Sequence, residues 1–251
     1  LKEGPLVARI HCGCLGYGRQ VVADYIERFQ EVAPSYDIDP PDPNLASVPL
    51  DSGEAEDYMG AMRAAANYAY ANRQVLAHRV REVFDDLLEG AGERLKTVYD
   101  VAHNLGQVEM HQVDGKHMRC YVHRKGAARA FGPGTPGISL PYRALGQPVL
   151  VPGSMGETSW VMLATRDAMQ KSFGSACHGA GRTMSRHEAN HQAEPVPLDG
   201  DGDGVAVRSG DGSASAGVQL KENIGGVVET VAGSRLAGKV ARLEPLAVMH
   251  G

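Results

Sequence analysis

Apolar residues along the chain follow two spacings, which predict buried strands and one long helix. Short apolar runs at Leu6–Ile10, Val149–Val151 and Trp160–Ala164 are typical of buried strands. Between Ala55 and Leu88 apolar residues recur at helical spacing instead, and Gly90 follows as a stop signal. The residues that set this spacing are Met62, Ala66, Ala69, Leu76, Val80, Val83, Phe84 and Leu87. We expect this helix to be mainly scaffold.

Shorter elements are predicted between these landmarks. A helix is expected over Arg19–Phe29 and a second, short one from Asp167 to Phe173. Val98–Ala102 predicts a short strand. Asp114-Gly115 separates two alternating segments and is a typical hairpin turn, so Glu109–Val113 and Met118–His123 are expected to pair.

Composition excludes several classes of protein. The 251 residues are 43% hydrophobic and 22% charged, as in ordinary globular proteins. A net charge of −5 gives no general attraction to nucleic acid, so an RNA-binding groove would need a local basic patch. No apolar run approaches the length of a membrane span. The four cysteines form no CxxC pair, which favours reduced thiols and a cytoplasmic location.

The segment after the Trp160–Ala164 run carries the most distinctive chemistry. His178 lies between Cys177 and the glycine-rich stretch Gly179-Ala180-Gly181-Arg182. Glycines allow a close backbone approach, and their amide groups can hold phosphate oxygens. A histidine beside such a loop could attack a substrate or bind a metal. A tight turn with an incidental histidine explains the spacing equally well.

Other candidate residues stand at strand ends or in turns. His11 and His103 each follow a predicted strand, where a rigid backbone would fix an imidazole ligand. Arg124 and Lys125 precede Gly126 and suit a polyphosphate or an RNA end, although a solvated basic tip is an equal alternative. The Cys-x-Cys sequence after His11 could bind a soft metal. His111 and His117 are expected on exposed parts of the hairpin without a function, and His78 is expected to be structural.

One competing motif indicates a zinc peptidase. His187-Glu188-Ala189-Asn190-His191 matches HExxH, in which two histidines bind zinc and the glutamate is the general base. Pro195 and Pro197 would end the required helix soon afterwards. Glu194 and Pro197 also occupy the glycine and third-histidine positions of the extended motif. With ten histidines in the chain, a chance match explains the motif better.

Several long stretches resemble the RtcB family of RNA-splicing ligases, in the family's order and over nearly the whole chain. The resemblance implies an α+β fold with mixed sheets and packed helices. The matching stretches are NYAYANRQ, YDVAHN, VHRKGAARAFGPG, GQPVLVPGSMG, FGSACHGAGR, MSR and VARLEPLAV.

The resemblance also implies an activity. Members of the family join a 2′,3′-cyclic phosphate or 3′-phosphate RNA end to a 5′-hydroxyl end, as in tRNA splicing or RNA repair. The reaction uses GTP and Mn²⁺ and passes through a histidine–GMP intermediate. RNA is therefore the expected partner, and an activating protein is a possible second one.

Residue by residue, the resemblance assigns His178 as the nucleophile and His11 and His103 as metal ligands. The positions matched to RNA contacts are Arg124, Lys125, Arg182 and Arg186. The positions matched to the nucleotide are His103, Asn104, Pro152, Gly153, Ser154, Met155, Ser159, Gly179, Ala180, Gly181 and His250.

The sequence departs from the family pattern at several positions. The family usually has Ser-Gly-Ser-Arg-Gly after the histidine matched by His11, and an arginine stands where this chain has Leu15. A lysine usually stands in place of His250. The family's upstream aspartate, bridging cysteine and further histidine have no match here. We therefore expect residues 1–251 to be a single catalytic domain without the family's N-terminal part. A truncated, non-ligating relative that binds nucleotide or a partner is the alternative.

Overall fold

A computed structural model describes residues 4–153, 157–179, 206–209 and 224–250, the side chains of 206–209, 249 and 250 excepted. The chain forms two compact units. Leu6–Val98 is called the helical unit, and Leu1–Pro5 together with Tyr99–Gly251 is called the sheet unit. In the described residues, no helix is both long and apolar enough to cross a membrane.

Helices α1 (Tyr17–Val32), α2 (Gly53–Leu87) and α3 (Ala91–Arg94) build the helical unit, with 3-10 turns at Ala33–Tyr36 and Pro43–Leu45. The long helix predicted from the apolar spacing is confirmed. Ser52 begins it as an N-cap, because its hydroxyl oxygen accepts a hydrogen bond from the Ala55 amide (3.2 Å).

The predicted strand at Leu6–Ile10 is wrong. Residues 5–14 have no regular secondary structure, and Leu6 is 56% exposed. A strand needs a neighbour for its backbone hydrogen bonds, and the described residues of the helical unit contain no other strand.

The described residues of the sheet unit form mainly strands, with two helices between them. The strands are β1 (Asn104–Val113), β2 (Lys116–Lys125), β3 (Ala127–Arg129), β4 (Pro148–Val151), β5 (Ser159–Ala164), β6 (Ser175–Cys177), β7 (Ala206–Ser209), β8 (Ala237–Leu243) and β9 (Ala247–His250). The helices are α4 (Arg166–Lys171) and α5 (Ile224–Gly233), with a 3-10 turn at Leu140–Tyr142.

Within the described residues these strands form four small sheets. β1 pairs with β2, β3 with β6, and β5 lies between β4 and β8, all antiparallel, whereas β7 and β9 are parallel. The predicted hairpin is confirmed and is longer than expected. Asp114 (φ 48°) and Gly115 (φ 77°) both have positive φ, as a two-residue type I′ turn requires. The mixture of helices with small sheets confirms the α+β fold class.

The core of the sheet unit lies between the β4–β5–β8 sheet and α5. Val149, Val151 and Met162 are fully buried there, and Val228 of α5 packs against them. The apolar runs that predicted β4 and β5 therefore supply the core. This rigid layer fixes the two ends of the turn that follows β4.

Candidate functional site

Strand β6 delivers His178 to a fixed position. The strand pairs with β3, and the His178 amide then donates a hydrogen bond to the carbonyl of Gly126 (3.1 Å). Gly126 has a φ of +68°, a conformation that favours glycine. The backbone of His178 is therefore tied to the connection between β2 and β3.

The rings of His178 and His103 stack face to face. Their centroids lie 3.7 Å apart and their planes differ by 6°. Both side chains are half-buried, and a ring nitrogen of one lies within 4.8 Å of a ring nitrogen of the other. Two residues 75 positions apart in sequence (178 − 103) thus form one imidazole pair.

The predicted strand at Val98–Ala102 is wrong, and His103 precedes a strand instead of following one. Residues 95–102 have no regular secondary structure, and β1 begins at Asn104. Tyr99 packs edge-on against Tyr142, with ring centroids 5.3 Å apart. Side-chain packing therefore holds this segment, and the start of β1 fixes His103.

Asn104 and Lys125 lie beside this pair. They are register partners at the open end of the β1–β2 hairpin. The Asn104 Oδ1 accepts a hydrogen bond from the Gly126 amide (2.9 Å), so Gly126 is bonded to both Asn104 and His178. Lys125 is exposed and places a positive charge next to Asn104.

The turn after β4 approaches the same place. Gly153 is buried, and its amide donates a hydrogen bond to the Ser159 hydroxyl (3.1 Å) at the start of β5. A Cβ at Gly179 would lie 3.8 Å from the Pro152 carbonyl oxygen, which puts Gly179 in contact distance of this turn. Gly179, which follows His178, thus lies near Pro152, while Gly153 and Ser159 are bonded to each other directly after Pro152.

Arg124 is not available for RNA, which corrects its predicted role. It is 7% exposed, and its guanidinium forms a bidentate pair with Glu109 (2.7 and 2.8 Å). The same group also donates to Ser175, Phe173 and Gly174. Each of its three nitrogens donates to a group within the protein, and the side chain is buried, so it is not exposed to an RNA phosphate.

His111 was expected to be exposed, and that expectation is wrong. It is 2% exposed, and its Nε2 lies 2.8 Å from Glu109 Oε2. Phe131 and Phe173 pack edge-on against its ring. The pattern that sequence reasoning missed is thus a buried Glu109–His111–Arg124 group. The sequence feature that could have revealed this group is the placement of three polar residues on one face of the predicted hairpin.

His11 belongs to the helical unit and keeps an exposed part. Partial burial, and to a smaller extent the charge of Arg9, lower the pKa of His11 and favour the neutral ring that can bind a metal. Both neighbouring cysteines accept hydrogen bonds within the helical unit. Cys14 Sγ accepts from the Gly18 amide (3.1 Å), and Cys12 Sγ accepts from the Asn72 side chain (3.7 Å), which also donates to the Gly13 carbonyl (3.0 Å). In the part of the chain that is described, no group of three ligand-type side chains includes Cys12 or Cys14.

Several predicted positions lie outside the described residues. They are Ser154, Met155, Ala180, Gly181, Arg182, Arg186 and the HExxH stretch from His187 to His191. His250 lies in β9, but its side chain is not described.

The sequence also matches a known protein family along its whole length. The family model described as "tRNA-splicing ligase RtcB" matches residues 1–251. The chain belongs to the RtcB family. This confirms the resemblance carried by the motifs around His178, His103 and Lys125.

Curated RtcB relatives match the whole chain but are longer. The tRNA-splicing ligase RtcB of Pyrococcus abyssi is 44% identical over 259 residues, which cover 100% of this chain and 28% of the relative. That of Archaeoglobus fulgidus is 43% identical over 257 residues, covering 100% and 53%. The RNA-splicing ligase RtcB homolog 1 of Entamoeba dispar is 40% identical over 256 residues, covering 100% and 47%. The chain thus spans about half the length of the last two.

Proposed function

We propose that the chain carries the nucleotide-transfer centre of a GTP- and Mn²⁺-dependent RNA ligase. It would join 2′,3′-cyclic phosphate or 3′-phosphate ends to 5′-hydroxyl ends. The observation that supports this most is the fixed position of His178, stacked on His103 (3.7 Å) and bonded through its amide to Gly126 (3.1 Å). Family membership supplies the reaction class.

In the proposed reaction, a neutral ring nitrogen of His178 attacks the α-phosphorus of GTP. The new N–P bond forms as the bond to the bridging oxygen breaks, and pyrophosphate leaves. A 2′,3′-cyclic end must first take up water, which breaks the bond between phosphorus and the 2′-oxygen and leaves a 3′-phosphate and a 2′-hydroxyl. An oxygen of the RNA 3′-phosphate then takes the GMP and frees the histidine. The 5′-hydroxyl finally attacks the activated 3′-phosphate, which releases GMP and forms the phosphodiester. An imidazole is a competent nucleophile near neutral pH.

The protein's contribution is to hold the reacting groups in place. Stacking on His103 restricts the rotation of the His178 ring, and the bond to Gly126 restricts its backbone. Lys125 offers a fixed positive charge to nucleotide or RNA phosphates. A Cβ at Gly179 would lie 3.8 Å from the Pro152 carbonyl oxygen, and this proximity supports the proposal that Pro152, Gly153 and the backbone of Gly179 contact the nucleotide.

His103 is proposed as a manganese ligand, and His11 is the second imidazole that the resemblance assigns to the metal. An imidazole nitrogen can ligate Mn²⁺, although this ion prefers oxygen donors. Carboxylates or phosphate oxygens would therefore complete the shell. A bound metal would offset negative charge that builds up on the phosphates. Arg182 and Arg186 are proposed RNA contacts on the basis of the resemblance alone.

Labelling with α-phosphate-labelled GTP and Mn²⁺ tests the proposal. We expect an acid-labile, alkali-stable protein–GMP adduct, since a phosphoramidate has that stability and a phosphoester on Ser159 does not. His178→Ala should abolish the label. The matched control is His117→Ala, an exposed histidine of the hairpin, which should keep it. Full labelling of His178→Ala would contradict the mechanism. Tight GTP binding without any adduct would favour the non-ligating alternative.

A further inference from the structure

The buried group formed by Glu109, His111 and Arg124 has contacts that extend beyond the hairpin. Glu109 and Arg124 are each 7% exposed and His111 is 2% exposed. Removing two charges from water is costly, and a buried ion pair is weak support for stability by itself. The role of the Glu109–Arg124 pair is therefore inferred from its contacts with the rest of the sheet unit.

The guanidinium of Arg124 faces Glu109 on one edge and a backbone turn on the other. Its Nη2 donates to the carbonyl oxygens of Phe173 (2.9 Å) and Gly174 (3.3 Å). Its Nε donates to the Ser175 hydroxyl (2.9 Å). Arg124 thus connects β2 to residues 172–175, the turn that leads directly into β6.

This turn has an unusual backbone. Phe173 (φ 50°) and Gly174 (φ 60°) are consecutive residues in the left-handed region, which a phenylalanine adopts at an energetic cost. Ser172 closes the turn by donating from its hydroxyl to the Ser175 carbonyl (2.7 Å). A Cβ at Gly174 would lie only 2.6 Å from Phe131. Such a conformation persists only where its surroundings hold it.

We propose that Arg124 is a positioning residue for His178. Glu109 fixes the guanidinium, the guanidinium fixes the turn at 172–175, and the turn sets where β6 ends and therefore where the His178 ring lies. The role in catalysis rests on the proposed function, whereas the effect on the position of the ring does not.

Lysine cannot replace arginine in this role. The planar guanidinium presents donors on two edges, so it binds a carboxylate and the turn at the same time. A lysine ammonium at the same position would keep the charge but would not span Glu109, the two carbonyls and the Ser175 hydroxyl. Arg124→Lys therefore separates geometry from charge.

The ring resonances of His178 in NMR spectra of the full chain provide the direct test. Stacking at 3.7 Å places the His178 ring protons in the ring current of His103. We expect Arg124→Lys to shift these resonances towards the values of an exposed imidazole. Arg129→Lys is the matched control, because Arg129 lies on the adjacent strand and donates to Gln147 and Gly137 instead of the turn. It should leave the His178 resonances unchanged.

A second variant distinguishes displacement of the His178 ring from unfolding of the sheet unit. Glu109→Gln/Arg124→Met removes both charges together, so no buried charge is left unpaired, and the glutamine can still bond to His111. We expect this variant to unfold cooperatively but to show the same displaced His178 resonances. A folded variant of either kind with unchanged His178 resonances would overturn the proposal. Loss of cooperative unfolding in both variants would also overturn it, because Arg124 would then hold the whole unit.

Adduct formation supplies the kinetic readout. At saturating GTP, Arg124→Lys should slow His178 labelling by about 100-fold, the size of effect expected when a reacting group is misplaced by about 1 Å. The apparent affinity for GTP should change little, since the Arg124 side chain is buried against Glu109 and the turn at 172–175. An equal loss of rate and affinity would contradict a positioning role. If the unaltered chain forms no adduct, the proposed function fails while the NMR experiment still decides the position of the ring.

Discussion

The sheet unit and the helical unit use polar and apolar residues in opposite ways. Among its described residues the sheet unit buries five polar side chains, each of which takes part in a hydrogen bond: Glu109, His111, Arg124, Gln147 and Ser159. In the helical unit, the 35-residue helix α2 buries only Ala55 and Ala65. Leu87 of that helix is 76% exposed and Val83 is 53% exposed.

This difference indicates that the sheet unit holds the proposed reacting groups and that the helical unit is mainly scaffold. Buried polar groups that are hydrogen-bonded to one another and to the backbone hold the surroundings of His178 in place. The helical unit instead relies on helix formation and on aromatic contacts between α1 and α2. These are a cluster of Tyr25, Phe29 and Tyr58 (ring centroids 5.3–5.9 Å apart) and the pair Tyr17–Tyr68 (6.4 Å). Trp160, the one tryptophan of the chain, lies in β5 and reports on the sheet unit by fluorescence. Far-ultraviolet circular dichroism reports mainly on α1 and α2.

The largest expected effect is that of Arg124→Ala. The change leaves Glu109 buried without its partner, which costs about 3–5 kcal/mol. Denaturation followed by Trp160 fluorescence should show this loss, while the circular dichroism transition moves less. Arg79→Ala is the control, because Arg79 forms only an exposed pair with Glu82 (3.0 Å) and should change stability by less than about 0.5 kcal/mol. A loss below about 1 kcal/mol for Arg124→Ala would contradict the role of the buried group.

Gly174→Ala should follow, with a loss of about 2–4 kcal/mol in the same fluorescence transition. The added Cβ combines a positive φ with a steric clash against Phe131 (2.6 Å) and Met169 (2.9 Å). Gly126→Ala separates the two causes, since Gly126 also has a positive φ but open space around it. It should lose only about 1–2 kcal/mol. Equal losses at both glycines would mean that packing at the 172–175 turn contributes nothing.

Ser52→Ala should have a smaller effect that is confined to the helical unit. Loss of the N-cap bond to the Ala55 amide costs about 1 kcal/mol. The circular dichroism transition should move and the Trp160 transition should not. Ser47→Ala, an exposed serine before the helix, should leave both transitions in place. Movement of the Trp160 transition by Ser52→Ala would show that the two units unfold together.

The smallest effect is expected on the exposed side of α2. Leu87→Gln should change stability by less than about 0.5 kcal/mol, because a residue with 76% exposure loses little burial. Met162→Ala in the core of the sheet unit is the contrasting substitution, with an expected loss of about 2–5 kcal/mol. A loss above about 1 kcal/mol for Leu87→Gln would show that this side of the helix is covered in solution.

The elements that sequence predicted well are those defined by local pattern. α2, β4, β5 and the Asp114-Gly115 hairpin depend on the spacing of neighbouring residues or on one turn. The strands expected at Leu6–Ile10 and Val98–Ala102 failed, because a strand also needs a distant partner that spacing does not reveal.

The direction in which the side chains of β1 point could not be predicted from the sequence either. Val108 (43% exposed) and Met110 (57%) point outwards, while Glu109 and His111 point inwards. Hydrophobic alternation in β1 predicts the reverse, and only the partner Arg124 explains why the polar face is buried.

The candidate site was predictable mainly through the family motifs. No spacing rule brings His103 and His178 together, because their stacking depends on how β1 and β6 are placed by other strands. Gly126 could not have been found from side-chain chemistry at all, since it contributes only backbone groups to Asn104 and His178.

The most direct measurement is to locate the GMP after incubation with GTP and Mn²⁺. The protein would be digested under alkaline conditions, which preserve a phosphoramidate, and the modified peptide would be sequenced by mass spectrometry. We expect GMP on the peptide that contains Cys177 and His178, with the modification on the His178 ring. GMP on any other residue would contradict His178 as the nucleophile. So would the absence of GMP when the chain is fused to the upstream part of a longer relative.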